Sequence, residues 1–187
     1  MQETEKKTGF TAQDICHIAV FTALIAILAQ ISIPLPGGVP LTLQTFAVPL
    51  AGLVLGAKKG TTSTLIYVLL AAAGVPVLAG MKGGLGAVLG MTGGFVLSFP
   101  LMALFAGFAA GKTVRDARLW FWLVLGALVN YAVGTAWFMW IAGTDIRGAL
   151  AACVLPFLPT AVLKIVLSGM AGTLMRGMLG KTGLLYG

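Results

Sequence analysis

From Val154 to Met175 the chain carries a single charge, Lys164. A helix of that length and apolarity is suited to cross a lipid bilayer, which takes about 20 residues. Ile15–Ile33 and Leu119–Ala142 contain no Asp, Glu, Lys or Arg at all. Hydrophobic residues make up 59% of the chain and charged ones 9%, against roughly a quarter charged in an ordinary soluble domain. Such a chain is an integral membrane protein. Inside lipid the backbone must satisfy its own hydrogen bonds, which leaves helices or a closed barrel. Alternating patterning over about ten residues, the mark of a barrel strand, is missing. The fold is therefore an all-α membrane bundle, and its 26 glycines suit helices whose backbones approach closely.

Breaks in the apolar runs divide the chain into six predicted transmembrane helices: Ile15–Ile33, Thr45–Leu55, Thr61–Ala73, Phe95–Ala110, Leu119–Ala142 and Val154–Met175. Residues 1–14 form a polar tail, and 15–187 one membrane domain. Pro34-Leu-Pro-Gly-Gly-Val-Pro40 ends the first run, since clustered proline and glycine cannot continue a helix. Gly56-Ala-Lys-Lys-Gly60 and Gly74-Val-Pro76 provide the next breaks. Seven glycines then fall between Gly80 and Gly94, in a segment that stays apolar, unlike a solvent linker. Irregular backbone at membrane depth must be buried or line a cavity. The stretches 34–44 and 74–94 are thus expected to form loops over a binding pocket.

Of the 12 Lys and Arg residues, Lys6, Lys7, Lys58, Lys59, Lys112, Arg115, Arg118, Arg176 and Lys181 fall on one side of such a bundle. Only Lys82 and Arg147 fall on the other. The positive-inside rule then puts both termini in the cytoplasm and the two glycine- and proline-rich loops on the outer face. A net charge of +7 dispersed over loops in this way speaks for orientation in the membrane rather than for nucleic acid. Cys16 and Cys153, both in or beside apolar segments, read as buried thiols, not as a disulfide or a metal pair.

The sequence offers little for catalysis. Gly111-Lys-Thr113 and Gly180-Lys-Thr182 resemble the end of a phosphate-binding loop, but the glycine required five residues earlier is Ala106 or Met175. His17 has no second histidine to share a metal. The acids Glu3, Glu5, Asp14, Asp116 and Asp145 lie singly in tails or loops, so no buried acid–base pair or carboxylate cage is available. What remains is binding. A lysine near the membrane centre costs roughly 2.5–3.5 kcal/mol and is normally paired or faces a polar cavity. Lys164 therefore either meets a ligand or snorkels to a surface. Asn130, mid-span, is either a ligand partner or interhelical glue. Tyr131, Gln44, Thr42 and the second cation, Lys82, can reach the same outer cavity. Trp137 is a candidate apolar wall, and Trp140 an interfacial residue. Ala19 and Ala23, four apart on the first span, make a flat strip that serves either a partner helix or internal packing.

Several ordered motifs carry a resemblance. Gly37-Gly-Val-Pro-Leu-Thr-Leu-Gln-Thr-Phe46, Leu53-Val-Leu-Gly-Ala-Lys-Lys-Gly60, Gly90-Met-Thr-Gly-Gly-Phe95, Tyr131-x-x-Gly134-x-x-Trp137 and Leu155-Pro-Phe-Leu-Pro159…Lys164 are similar to those of the BioY family. These are the substrate-binding S components of energy-coupling factor (ECF) biotin transporters. The resemblance covers nearly the whole chain from the first span onward. It implies a six-helix S-component bundle in the prokaryotic cytoplasmic membrane that binds biotin near the outer face. It further implies a transmembrane coupling subunit contacting Ala19 and Ala23, and two ABC-type ATPases that supply the hydrolysis. Biotin is then cargo, with no resident cofactor or metal. On this reading Lys164, Lys82, Asn130, Tyr131, Gln44 and Thr92 supply polar contacts, with Gly93, Gly94 and Trp137 beside them. Two departures stand out: Pro159-Thr-Ala161 replaces the common Pro-Gly-Asp, and Met91 replaces a proline. The competing readings are an S component for another vitamin, an intramembrane enzyme, or a structural membrane subunit.

Overall fold

The computed structural model describes residues 9–35 and 37–182. Most of the expected N-terminal tail, with Lys6 and Lys7, lies outside them, as do Pro36 of the first loop and residues 183–187. Eight α-helices are present: α1 Ala12–Ala29, α2 Gln44–Leu55, α3 Ala57–Ala72, α4 Leu85–Val88, α5 Gly93–Phe108, α6 Ala117–Ala142, α7 Ile146–Cys153 and α8 Leu158–Lys181. The proline-rich loop is clasped by a two-stranded antiparallel ladder, β1 Ser32–Ile33 with β2 Leu41–Thr42, pairing Ser32 with Thr42. This ladder is an addition to the all-helical expectation. It gives the backbone on either side of three prolines a hydrogen-bonding partner.

Local chemistry explains most helix boundaries. Thr11 and Asp14 form a reciprocal capping box at the start of α1, which fills two orphan backbone donors. Asp116 and Asp145 cap α6 and α7 by accepting from Arg118 N and Gly148 N, each at 2.9 Å. Between α2 and α3 the break is a single residue, Gly56, at φ +83°. The expected five-residue break at 56–60 is therefore mostly helix: Lys58, Lys59 and Gly60 belong to the first turn of α3. Residues 143–153, expected as a loop, fold largely into α7, because Asp145 caps an alanine-rich segment. A 3-10 turn at Leu155–Phe157, containing Pro156, then separates α7 from α8.

Helices α2 and α5 form the inner pair. α5 packs on α6, α2 and α3, while α2 also packs on α8 and α1. Small residues set this spacing. A Cβ at Gly52 would collide with Ala103 O and sit 2.9 Å from the Ala106 Cβ, and one at Gly60 would lie 2.6 Å from the Gly52 Cα. A Cβ at Gly107 would strike Ala57. The core around them holds Ile25, Ala47, Ala51, Val54, Tyr67 and Ala103, all fully buried. Outward, by contrast, Val20, Leu65, Leu101, Phe121, Leu128 and Leu163 are exposed. A helix apolar on every face belongs in a core or in lipid.

Contacts between helix ends define two poles. Asp14 pairs with Lys59, and Arg176 Nη1 donates to Val54 O at 2.5 Å, which gathers the start of α1 and α3 with the end of α2 and α8. At the other pole Gln30 Nε2 donates to Val77 O and Leu78 O, each at 3.2 Å, and Trp137 Nε1 donates to Gly90 O at 2.9 Å. Among the described residues three segments are long and apolar enough to cross a membrane: Ala12–Ala29, Ala117–Ala142 and the combined Ile146–Lys181. Cys16 is exposed on α1, contrary to the expected buried thiol, whereas Cys153 is buried; both are free.

Replacing Gly52 by valine should cost about 1–3 kcal/mol or more through overpacking, seen as a lower thermal midpoint and aggregation on size exclusion. Gly177, whose Cβ would meet nothing within 4 Å, should accept valine with its midpoint unchanged.

Candidate functional site

The glycine-rich segment, the β-ladder, and the adjoining ends of α2, α5, α6 and α8 surround a cavity of about 820 Å³, its mouth included. Lys164 reaches it from the second turn of α8, which Pro159 helps to start. Its ammonium donates to Thr42 O at 2.7 Å and to Thr45 Oγ1 at 3.2 Å. The residue is only 8% exposed, and no carboxylate lies within ion-pair distance of it among the described residues. Snorkelling is thus ruled out: the side chain turns inward to neutral acceptors. An ammonium has three protons, and two are used.

A chain of hydrogen bonds runs on from that anchor. Thr42 Oγ1 donates to Gln44 Oε1 at 3.0 Å, Gln44 Nε2 donates to Tyr67 Oη at 2.6 Å, and Tyr67 donates to Val77 O at 3.0 Å. Gln44 and Tyr67 are both buried. The relay ties β2, α2 and α3 to the loop that carries Lys82. That loop is pinned a second time by Gln30, whose Oε1 accepts from Met81 N at 3.0 Å. Residue 81 itself sits at φ +56°, a left-handed conformation uncommon for a side-chain-bearing residue. Lys82 is exposed at the cavity edge, its backbone bridged to Leu78.

On the opposite wall, Asn130 is 1% exposed and donates to Phe95 O at 2.9 Å and Ser98 Oγ at 2.8 Å. A carbonyl only accepts, so the NH₂ group is fixed toward α5. Both amide protons serve as interhelical glue, and the side-chain oxygen is left as its acceptor. Phe95 and Tyr131 meet edge to face with centroids 6.2 Å apart. Phe95 is held over Gly134, where a Cβ would strike the ring.

Lys164, Lys82, Asn130, Tyr131, Gln44 and Thr92 all line the cavity. Gly93, Gly94 and Trp137 do not. Trp137 spends its N–H on Gly90 O, and its ring packs over Gly93 and Gly94, where any Cβ would clash. These three residues close α5 onto α6 and so position the wall without forming it. The aromatic surface comes instead from Phe95, Phe99, Tyr131 and Phe157. Thr45, Cys153 and Phe157 are lining residues that the sequence reading passed over. Phe157 lay in plain view between Pro156 and Pro159, whereas nothing local distinguishes Phe99 from other core phenylalanines. Ala19 and Ala23 are exposed on the outer side of α1, so internal packing is not their role.

Fold and cavity together define a polytopic helical membrane protein with a pocket set between helix ends at one pole. Residues 2–181 match the BioY family profile, and the chain belongs to that family. A probable biotin transporter BioY of Pyrococcus horikoshii is 42% identical over 153 residues, 82% of this chain and 90% of that protein. The biotin transporter BioY of Thermotoga maritima is 40% identical, covering 81% and 88%. A solved structure of the S-component for biotin from an ECF-type ABC transporter superposes with a TM-score of 0.78 at 26% identity. That superposition covers 92% of this chain and 95% of the other.

Tyr67→Phe should remove the acceptor for Gln44 and the donor to Val77 O. Leaving buried polar groups unmet costs about 1–3 kcal/mol, so the thermal midpoint should fall. Hydrogen exchange should quicken in 77–84 while the far pole is unchanged.

Proposed function

We propose that the chain captures biotin at the outer face of the cytoplasmic membrane, as the S component of an ECF-type importer. The observation that carries this reading is Lys164: a buried ammonium with only neutral partners and one spare proton, in a pocket that also presents four aromatic rings. The names of the relatives and the fold of the solved S-component support it.

The pocket chemistry also favours one orientation of the ligand. A ureido ring both accepts and donates. The deep site offers a matching pair, the spare N–H of Lys164 and the side-chain oxygen of Asn130. A carboxylate only accepts, would have to be stripped of water there, and would face the Asn130 oxygen. The ureido ring therefore goes inward, the thiophane against Phe95, Phe99, Tyr131 and Phe157, and the carboxylate to the mouth beside exposed Lys82.

The six helices of twelve or more residues are taken as six crossings of one membrane domain, with both termini in the cytoplasm. Lys58, Lys59, Lys112 and Arg176 belong to the pole opposite the pocket, as the positive-inside rule asks. The shorter helices α2 and α5 cross with the β-ladder and the glycine-rich segment completing the depth. ATP hydrolysis belongs to partner subunits, two ABC-type ATPases acting through a transmembrane coupling protein. The exposed Ala19 and Ala23 offer that protein a flat strip.

Calorimetric titration of the ligand-stripped protein in detergent should show stoichiometric binding of biotin, with thiamine and riboflavin silent. Silence toward biotin in folded protein would overturn the assignment. Lys164→Ala should weaken biotin and its methyl ester alike by at least tenfold, about 1.4 kcal/mol. Lys82→Ala should weaken biotin but leave the ester, which has no charge, unaffected. The reverse pattern would invert the ligand. Ala23→Trp should abolish co-purification with the coupling subunit while biotin affinity stays at the wild-type value.

A further inference from the structure

A second concave site lies at the pole opposite the pocket, between the last turns of α8 and the loop joining α5 to α6. Leu53, Met170 and Leu174 form its apolar floor, and Lys112, Arg176 and Lys181 contribute the charge. No acidic residue lines it among those described. Arg176 is its centre. Nη1 donates to Val54 O, a carbonyl left without an intrahelical partner near the end of α2, while Nε is buried and meets no acceptor. A buried guanidinium nitrogen without a partner is costly. Nη2, the end of the group not bonded to Val54 O, can donate to an oxygen of a phosphate or carboxylate.

We propose that this groove binds one anionic phospholipid. Its phosphate lies against the Nη2 end of Arg176, flanked by Lys112 and Lys181, and an acyl chain runs over Leu53, Met170 and Leu174. Charge complementarity selects an anion, and the apolar floor selects one that carries a hydrocarbon chain. A lysine or arginine that merely marks the cytoplasmic side would leave its whole head group in water; Arg176 is half-buried, with Nη1 bonded to Val54 O and Nε out of solvent. Gly177 supplies an independent handle, because its Cβ would enter open space beside the floor without touching any charge.

Native mass spectrometry of the detergent-purified protein, titrated with phosphatidylglycerol or phosphatidylcholine, tests the proposal. One phosphatidylglycerol should be retained at least fivefold more strongly than phosphatidylcholine. Lys112→Gln with Lys181→Gln, which disturbs no hydrogen bond of the fold, should remove most of that preference. Gly177→Leu should expel the lipid while leaving all three cations in place. Arg176→Gln should abolish retention, with circular dichroism showing that helicity survives loss of the α2 contact. Equal retention of both lipids, or retention undiminished by the lysine pair and by Gly177→Leu, would overturn the proposal. So would inorganic phosphate displacing the lipid, since that would make the site one for a free anion.

Discussion

The close approach of α2 to α5 and α3 is the constraint on which the rest depends. Gly52, Gly60 and Gly107, with Ala57, Ala103 and Ala106, bring three backbones nearly into contact at the basic pole. Among apolar side chains in lipid there is no hydrophobic force to draw helices together, so packing must do it. At the opposite pole lies the cavity, walled by residues of α2, α5, α6 and α8 with the β-ladder and the glycine-rich segment.

The buried polar groups in that space are largely spoken for by the protein itself. Thr42, Gln44 and Tyr67 satisfy one another, and Asn130 gives both its protons to α5. Such a network ties the loops over the pocket to α2, α3 and β2. The spare proton of Lys164 and the oxygen of Asn130 remain. Ala161, three residues before Lys164, offers no carboxylate, and the lysine has Thr42 and Thr45 as its partners. The ammonium keeps its place through neutral bonds, and its charge stays uncompensated.

The two poles divide the labour. One carries irregular backbone, glycine and aromatic rings around a pocket. The other carries the close helix contacts, the Asp14–Lys59 pair and a basic groove. Exposed apolar residues such as Leu65, Leu101 and Leu128 wrap the region between. Exposed Ala19 and Ala23 interrupt the bulk of that surface on α1 with a low, flat strip, a shape suited to another helix.

Much of this was legible in the chain alone. Apolar runs without charge, lacking the alternation of a barrel strand, specify a helical membrane protein, since lipid admits only helices and closed barrels; proline and glycine clusters mark where irregular segments fall. Ordered motifs carried the family. A lysine amid hydrophobic residues announced a polar site, since its burial demands partners. The identity of those partners was not local information: Thr42 and Thr45 stand more than a hundred residues away from Lys164, and only packing of β2 and α2 against α8 brings them together. The same holds for Trp137. Its motif suggested a wall, but its N–H required an acceptor, and Gly90 O lay outside the pocket. Helix α7 was missed because a short alanine-rich segment looks like a loop until Asp145 is seen capping it. Composition and periodicity decide what must be buried; the tertiary structure decides what each buried polar group finds when it gets there.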